Sequence, residues 1–246
     1  MDRLIHTALS GMRASMDSQR VIASNMANAN TLGFRAELLD QRPVTIEGQP
    51  NEARAMQIAR VRGADMSSGQ IIETGRNLDV AVTTQALMAV QAEDGTEAYT
   101  RRGDLSVSST GLLVNGEGRP VLGETGPITI PPVGIPAISP DGTITIADPT
   151  TPDQPPAKIG RIKMASWEGS PISKTLDGLF RVEGGGILPT DETASLKTGA
   201  LEQSNVKTTE VLVEMIEAQR LFAMRTKIVS TAKEIDESGS QLLRLG

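Results

Sequence analysis

Cysteine is absent from this sequence of 246 residues. Disulfide bonds and thiolate metal sites are therefore excluded, and the chain would function in an oxidising or a reducing compartment. Aromatic residues are also scarce, at 2 % of the chain. The hydrophobic core must therefore be built mainly from Val, Ile, Leu, Met and Ala.

Histidine occurs once, at His6. With no cysteine and no second histidine, we do not expect His6 to be a metal ligand or a general base. The sequence also lacks the pattern of a serine nucleophile elbow. The acidic group Glu93, Asp94, Glu97 and Asp104 resembles the paired carboxylates of glycosidases, but acidic side chains are mostly solvent-exposed. We therefore expect no catalytic site, no cofactor and no metal, and hence no enzyme.

An excess of basic residues is missing as well, because the net charge is −6. The net charge therefore gives no basic footprint for nucleic acid. The apolar stretches fall far short of the roughly 18 residues of a membrane-spanning helix. The first residues have no long apolar segment, so we expect no cleaved secretory signal, and either a cytosolic chain or export by a route that does not read one.

Proline and glycine are unevenly distributed. All fourteen prolines lie between Pro43 and Pro189, and residues 200–238 contain neither proline nor glycine. Before Gly33 the only glycine is Gly11. Because both residues interrupt helices, the two ends of the chain are predicted to be helical and the middle is not.

The first predicted helix covers residues 4–28. Its apolar residues follow steps of four and three, the spacing of a coiled-coil seam. The stripe is Ile5, Leu9, Met12, Met16, Gln19, Ala23 and Met26, of which Gln19 is polar. A cluster of asparagines, Asn25, Asn28 and Asn30, marks the expected end of the helix, and Gly33 can adopt the left-handed conformation beyond it.

The second predicted helix covers residues 206–243, about 57 Å at 1.5 Å per residue, with Ser204 or Asn205 as the expected N-cap. Its apolar residues form two adjacent rows, a broad face that suits bundle packing. The first row is Val211, Met215, Ala218, Phe222, Arg225, Val229 and Ala232, in which Arg225 alone is charged. The second is Leu221, Met224, Ile228, Ile235 and Leu242. An amphipathic helix of this length cannot bury its whole face in a small domain, so we expect it to need a partner.

The middle of the chain is predicted to be an antiparallel β domain. Short apolar segments with strand-like patterns are separated by the hairpin signals Asn115–Gly116 and Asp141–Gly142. The segments are 80–82, 86–90, 112–114, 127–130 and 143–146. Residues 148–156 are predicted to be a surface loop.

The segment after the first helix reads SNMANANTLGFR, from Ser24 to Arg35. It resembles the signature of the rod and hook family of bacterial flagellar axial proteins. The blocks GALEQSNV, beginning at Gly199, and MIEAQRLF, beginning at Met215, resemble the C-terminal helix region of the same family. In the middle, LDVA, YTRRGD and DGLF resemble its longer members.

The resemblance implies a fold of class α+β, in which long N- and C-terminal helices pack as a coiled-coil pair and an antiparallel all-β domain is inserted between them. The expected parts are a helical axial core domain (1–35 with 200–246), an extended or irregular connecting segment (36–74) and the β domain (75–199). The implied function is a structural subunit of the proximal rod of the flagellar basal body, polymerising through its terminal helices to transmit motor torque.

The implied partners are further copies of the chain, other rod proteins above and below it, and the flagellar type III export apparatus, through which relatives pass unfolded to the periplasm. We expect a helical homo- or hetero-oligomer with no nucleic acid and no membrane insertion. Two other classes stay open at this point: a periplasmic hydrolase acting on peptidoglycan, and a coiled-coil adaptor for a cytosolic partner.

Assembly residues are expected in the two terminal regions. We expect Gly33 to fix a positive φ at the exit of the first helix and Phe34 to anchor the next segment on the rod. The predicted set is Ile5, Leu9, Met12, Met16, Asn25, Asn28, Asn30, Thr31, Gly33, Phe34, Asn205, Met215, Arg220, Leu221, Phe222, Ile228 and Ile235.

Overall fold

The computed structural model describes residues 2–46, 54–132, 134–147 and 155–244. The chain forms two compact units. The first unit comprises Met1–Ala29, Glu37–Asp65 and Val206–Gly246. The second unit comprises Asn30–Ala36 and Met66–Asn205. The predicted loop over 148–156 lies mostly outside the described residues.

The first unit contains both of the helices found among the described residues. Helix α1 is Asp2–Ala27 and helix α2 is Thr208–Arg244. Both agree with the periodicity of the sequence to within two residues. The helices run antiparallel, because the side chain of Gln19 donates to the carbonyl of Ala218 while Arg225 donates to the carbonyl of Gly11.

The predicted coiled-coil pair is wrong. A coiled coil needs large apolar side chains at the facing positions of both helices. In α1 two residues of the predicted seam, Leu9 and Met16, are 40 % and 51 % exposed. The buried face of α1 instead carries small and polar residues such as Ala14 and Ser15, together with Val21 near its end. The general class, α+β, describes the chain.

A β-hairpin packs against α1 in the first unit. Its strands are β1 (Glu37–Ile46) and β2 (Arg54–Ala64), paired antiparallel. The register shifts between Leu38 and Leu39, which marks a bulge near the start of β1. Helix α1 is therefore contacted by a helix and by a β-ribbon, so its buried face serves two neighbours.

The second unit is built from short antiparallel strands. In chain order they are β3 (Ile71–Glu73), β4 (Val80–Val82), β5 (Ala86–Gln91), β6 (Glu97–Thr100), β7 (Ser106–Val107), β8 (Leu113–Val114), β9 (Leu122–Gly123), β10 (Gly126–Pro127), β11 (Ile135–Ile138), β12 (Thr143–Ala147), β13 (Ala157–Arg161), β14 (Met164–Ser166), β15 (Ile172–Lys174), β16 (Phe180–Val182), β17 (Leu196–Thr198) and β18 (Ala200–Glu202). Four of the five predicted strand segments contain observed strands, and the fifth, 127–130, shares only Pro127 with β10.

The largest sheet of the second unit has five strands in the order β14-β5-β6-β16-β15. A three-stranded sheet has the order β11-β12-β13, and the remaining strands form two-stranded ladders, including β17–β4 and β18–β3. The core is aliphatic, as the composition predicts. Its fully buried members include Val90, Leu105, Leu113, Ile144 and Met164.

The hairpin β11–β12 shows how a turn predicted from sequence forms. Gly142 has φ of 82°, a value that favours glycine. The carboxylate of Asp141 accepts hydrogen bonds from the backbone N–H and the hydroxyl of Thr143. These local bonds fix the turn and hence the register of the sheet. No helix in the described part of the chain has the length and hydropathy needed to cross a bilayer.

Candidate functional site: the junction and the helical faces

The end of α1 is held by asparagine side chains. Asn25 is buried and bonds the backbone of Glu37 twice, accepting from its N–H at 2.8 Å and donating to its C=O at 3.1 Å. Asn28 donates from its side-chain amide to the carbonyl of Ser24 at 2.9 Å. Asn25 therefore pairs with β1 much as a neighbouring strand would, and this fixes where β1 begins.

In the second unit, Gly33 occupies a position that only glycine can fill. Its φ is 66°, as predicted from the sequence. A Cβ at this position would lie closer than 3.0 Å to backbone atoms of both Arg101 and Arg102. The Gly33 N–H donates to the backbone carbonyl of Glu202 at 2.8 Å. Positive φ and close backbone approach therefore both require glycine here.

A buried ionic cluster lies next to Gly33 in sequence and in space. The side chains of Arg35 and Glu202 are completely buried and joined by a 2.7 Å hydrogen bond between Nη2 and Oε1. Arg101 approaches the other carboxylate oxygen of Glu202 at 3.4 Å. Glu202 Oε1 also accepts the backbone N–H of Gly69 at 2.8 Å. One carboxylate therefore connects four separate segments of the second unit.

The cluster has two positive charges and one negative charge. Arg101 also donates to the carbonyls of Val82 and Thr84 at 2.7 and 2.8 Å. Burial lowers the pKa of Arg101 to about 10, with the charge of Glu202 raising it and the charge of Arg35 lowering it. The guanidinium still carries its charge at neutral pH, so Glu202 is the counter-charge that makes the burial of two arginines tolerable.

Asn205 and Lys174 hold the segment that follows Gly33. The Asn205 side chain accepts the N–H of Ala36 at 2.7 Å and donates to the carbonyl of Ser67 at 3.0 Å. Lys174 Nζ lies 3.2 Å from the centroid of the Phe34 ring and donates to the carbonyl of Arg35 at 2.9 Å. Phe34 is therefore held by a cation–π contact within its own unit.

In the first unit, the two apolar rows of α2 have different environments. The first row faces inward: Val211 and Ala218 are buried, and Met215, Phe222 and Val229 are half-buried. The second row is exposed, with Leu221 41 %, Met224 50 %, Ile228 52 % and Ile235 54 % accessible. Helix α2 thus contributes one row to its own unit and leaves a second apolar row uncovered.

The predicted assembly residues occupy varied positions. Those that are exposed are Leu9, Met16, Asn30, Arg220, Leu221, Ile228 and Ile235. Those that are half-buried or buried are Met12, Asn25, Asn28, Thr31, Gly33, Phe34, Asn205, Met215 and Phe222. The side chain of Ile5 lies outside the described part of the chain. The structure brings Gly33, Phe34 and Asn205 together, and the Phe34 carbonyl accepts the Asn205 N–H at 3.3 Å.

Sequence reasoning missed the ionic cluster. Charged residues are mostly exposed, so the sequence alone predicts that Arg101 is exposed and that Glu202 is exposed just before the second helix. Glu202 instead ends strand β18, and α2 begins only at Thr208, so neither Ser204 nor Asn205 caps it as predicted. The one sequence feature that could have indicated the cluster is that the two family motifs each contain a charged residue, Arg35 and Glu202. These two residues are 167 positions apart.

The acidic residues considered for glycosidic chemistry bind cations and hydroxyls of their own unit. Glu97 pairs with Lys163 at 2.7 Å and Asp104 pairs with Arg102 at 2.8 Å. Asp94 accepts the hydroxyl of Thr96 at 2.6 Å. Across the described residues, no group of three or more His, Asp or Glu side chains is arranged to hold a metal ion. The arrangement is that of a scaffold fixed by ion pairs.

Three known protein families match this chain, two in its terminal regions and one in its middle. The family described as flagella basal body rod protein matches residues 5–35. The flagellar hook protein FlgE/F/G D1 domain matches residues 81–146, and the flagellar basal body rod FlgEFG protein C-terminal family matches residues 197–242. All of the predicted assembly residues lie within the two terminal matches.

Individual relatives align over the whole chain. The flagellar basal-body rod protein FlgF of Salmonella typhimurium strain LT2 is 40 % identical over 251 residues, covering 100 % of both chains. This chain belongs to the flagellar basal-body rod protein family. FlgF of Escherichia coli K12 is 38 % identical with the same coverage. The rod protein FlgG of Bacillus subtilis strain 168 is 33 % identical over 96 % of this chain and 97 % of its own.

Proposed function

We propose that this chain is a structural subunit of the bacterial flagellar basal-body rod, in its proximal part, and that it polymerises through its terminal helices to transmit motor torque. Membership of the rod protein family supports the structural role. The observation that carries the mode of assembly is the uncovered apolar row of α2, Leu221, Met224, Ile228 and Ile235.

The energetic argument rests on the exposure of that row. Complete burial of a Leu, Ile or Met side chain stabilises by about 1.5–3 kcal/mol. Since these side chains are already about half buried, covering them adds about 1 kcal/mol each. A contact repeated with the same geometry from copy to copy, without closing into a ring, produces a helical polymer.

The proposed partners are further copies of the chain and other rod proteins above and below it. During secretion the chain would interact with the flagellar type III export apparatus and so reach the periplasmic rod. The function is mechanical and requires no catalysis. The axial core (1–35 with 200–246), connecting segment (36–74) and β domain (75–199) remain a prediction.

The first test is localisation. Basal bodies purified from cells that express an epitope-tagged chain in place of the host rod protein should contain the tag, and electron microscopy should place it in the proximal rod. Recovery of the tag only from the cytosol or the membrane fraction would contradict the proposed function.

The second test perturbs the exposed row. Leu221→Asp places a charge on a surface that assembly would bury, so we expect loss of incorporation into basal bodies and loss of motility. Gln219→Asp is the matched control, because Gln219 is exposed on the same turn of α2 outside both apolar rows. Equal incorporation of the two variants would contradict assembly through this row.

A further inference from the structure

A groove of about 540 Å³ opens in the first unit between α1, the start of β1 and the first half of α2. Its buried lining residues Val21 and Ile22 are apolar, and the half-exposed Leu38 also lines it. Three acidic residues, Glu37, Glu214 and Glu217, also line it, and no lysine or arginine does among the described residues. The groove therefore presents an apolar lining and a negative edge.

The outer face of α1 has complementary properties. Leu9, Arg13, Met16 and Arg20 are all exposed and follow each other at steps of four, three and four residues. At 3.6 residues per turn these four side chains lie along one face of the helix. Asp17 is half-buried at the edge of this face. The outer face of α1 is therefore an apolar and basic stripe, opposite the small-residue face that packs inside the unit.

We propose that the stripe Leu9–Arg13–Met16–Arg20 of one copy docks in the acidic groove of a second copy of this chain. This proposal rests on the proposed function, since it names one contact by which the rod would propagate. Leu9 and Met16 cover the apolar lining of the groove. Arg13 and Arg20 face Glu214 and Glu217, since Glu37 already accepts the hydroxyl of Ser24. The desolvated contact combines apolar burial with opposite charges, which fix its register.

The geometry of this contact explains propagation. The stripe and the groove are different surfaces of the same chain, so each copy that binds one neighbour still offers its other surface to the next. A heterologous contact leaves a binding surface open at each end of the assembly, whereas a two-fold symmetric contact closes after two copies. Copies would therefore add one after another around and along an axis.

The charge pattern favours α1 over the outer face of α2 as the occupant. The outer face of α2 also has two basic residues seven positions apart, Arg220 and Lys227, beside the exposed Val213 and Ile216. However, the same helix carries the acidic Glu214 and Glu217 that line the groove. An α2 face would therefore bring glutamates close to glutamates, which disfavours docking.

The absence of native cysteine allows a direct cross-linking test. Two differently tagged full-length chains, one with Met16→Cys and one with Leu221→Cys, are expressed together, and basal bodies are treated with a mild oxidant. We expect a disulfide-linked species that carries both tags, because the proposed contact places these positions together. Replacing Met16→Cys by Ile216→Cys should reduce that species to background.

Two results would overturn the proposal while leaving the rod function intact. One is a doubly tagged species formed by the Ile216 and Leu221 pair instead. The other is normal incorporation of both cysteine chains with no doubly tagged species. If the chain is absent from basal bodies altogether, the proposed function itself fails.

Charge reversal gives an independent readout that does not depend on cysteine chemistry. Arg13→Glu/Arg20→Glu and Glu214→Lys/Glu217→Lys should each abolish incorporation, and the two double variants expressed together should restore it between unlike copies. The control Glu124→Lys/Glu168→Lys makes the same change in net charge as Glu214→Lys/Glu217→Lys, but at exposed positions of the second unit. Failure of the mixed copies to restore incorporation, with each variant folded, would refute the contact.

Discussion

Glu202→Gln is the substitution that most directly tests the buried ionic cluster. At an effective dielectric of 20, the attractions across 2.7 Å to Arg35 and 3.4 Å to Arg101 are about 6 and 5 kcal/mol before desolvation is counted. After the substitution, Arg101 keeps the carbonyls of Val82 and Thr84. Arg35 keeps no charged partner, and its Nε and Nη1 already lack acceptors in the described structure.

Breaking a buried ion pair from one side destabilises a protein by about 3–5 kcal/mol, and we expect a loss in that range for the second unit. This is a large part of a typical stability of about 5–15 kcal/mol. The assay is urea unfolding followed by the fluorescence of Trp167, the only tryptophan, whose ring centroid lies 5.9 Å from the Arg101 guanidinium carbon. Far-ultraviolet circular dichroism would follow both units in parallel.

The matched control is Glu73→Gln, because Glu73 lies on the strand that pairs with the strand of Glu202. Its carboxylate binds Lys197 at 2.7 Å, but its side chain is 76 % exposed. Exposed ion pairs contribute little, so the control should unfold with the wild-type midpoint. If Glu202→Gln and Glu73→Gln shift the midpoint equally, burial of the cluster does not stabilise the second unit and the reasoning fails.

Three further outcomes follow from the same structure. Gly33→Ala should destabilise the second unit by at least about 1 kcal/mol more than Gly75→Ala in urea unfolding, because both glycines have positive φ but only Gly33 is crowded by neighbouring backbone. Partial burial raises the pKa of Asp177, but the hydrogen bonds it accepts from Arg181, Thr175 and Leu179 together outweigh burial and lower the pKa from 3.8 to about 2. Its ionised form therefore stabilises the folded state above about pH 4, and this stabilisation disappears as the pH falls through about 2. When the pH is lowered from about 4 to about 2, the free energy of unfolding of Asp177→Asn should therefore fall by about 1 kcal/mol less than that of the wild type, after discounting for solvent exposure. Ile228→Asp should leave unfolding of the isolated chain within about 0.5 kcal/mol of wild type, because the side chain is already exposed, yet it should block incorporation into basal bodies.

The helices and the main turns could be predicted because their signals are local. Gly33 is an example: a glycine just after an asparagine-rich helix end predicts positive φ, and the backbone adopts it. The face of α1 that packs inside its unit could not be found in this way. Periodicity detects large apolar residues such as Met16, whereas the buried face is built from residues such as Ala14 and Ser15.

The ionic cluster was beyond sequence reasoning for a different reason. Arg35, Arg101 and Glu202 come from distant parts of the chain, and each charge taken alone is expected to be exposed. Only the fold shows that the segment after Gly33, the residue after β6 and the end of β18 meet at one carboxylate. Two motifs with charged residues, one at each end of a domain, are a reason to suspect such pairing, but they do not identify the partners.

The small side chains on the inner side of α1 have an evolutionary consequence. Gly11 lies against the Arg225 side chain, and bulkier residues at Ala14 or Ser15 would push α2 and the β-ribbon away. Substitutions at those positions among relatives should therefore be limited to Gly, Ala and Ser. Positions such as Leu9 and Met16 should exchange freely among Leu, Met and Ile. The two faces of α1 would therefore differ in the residue sizes that selection permits.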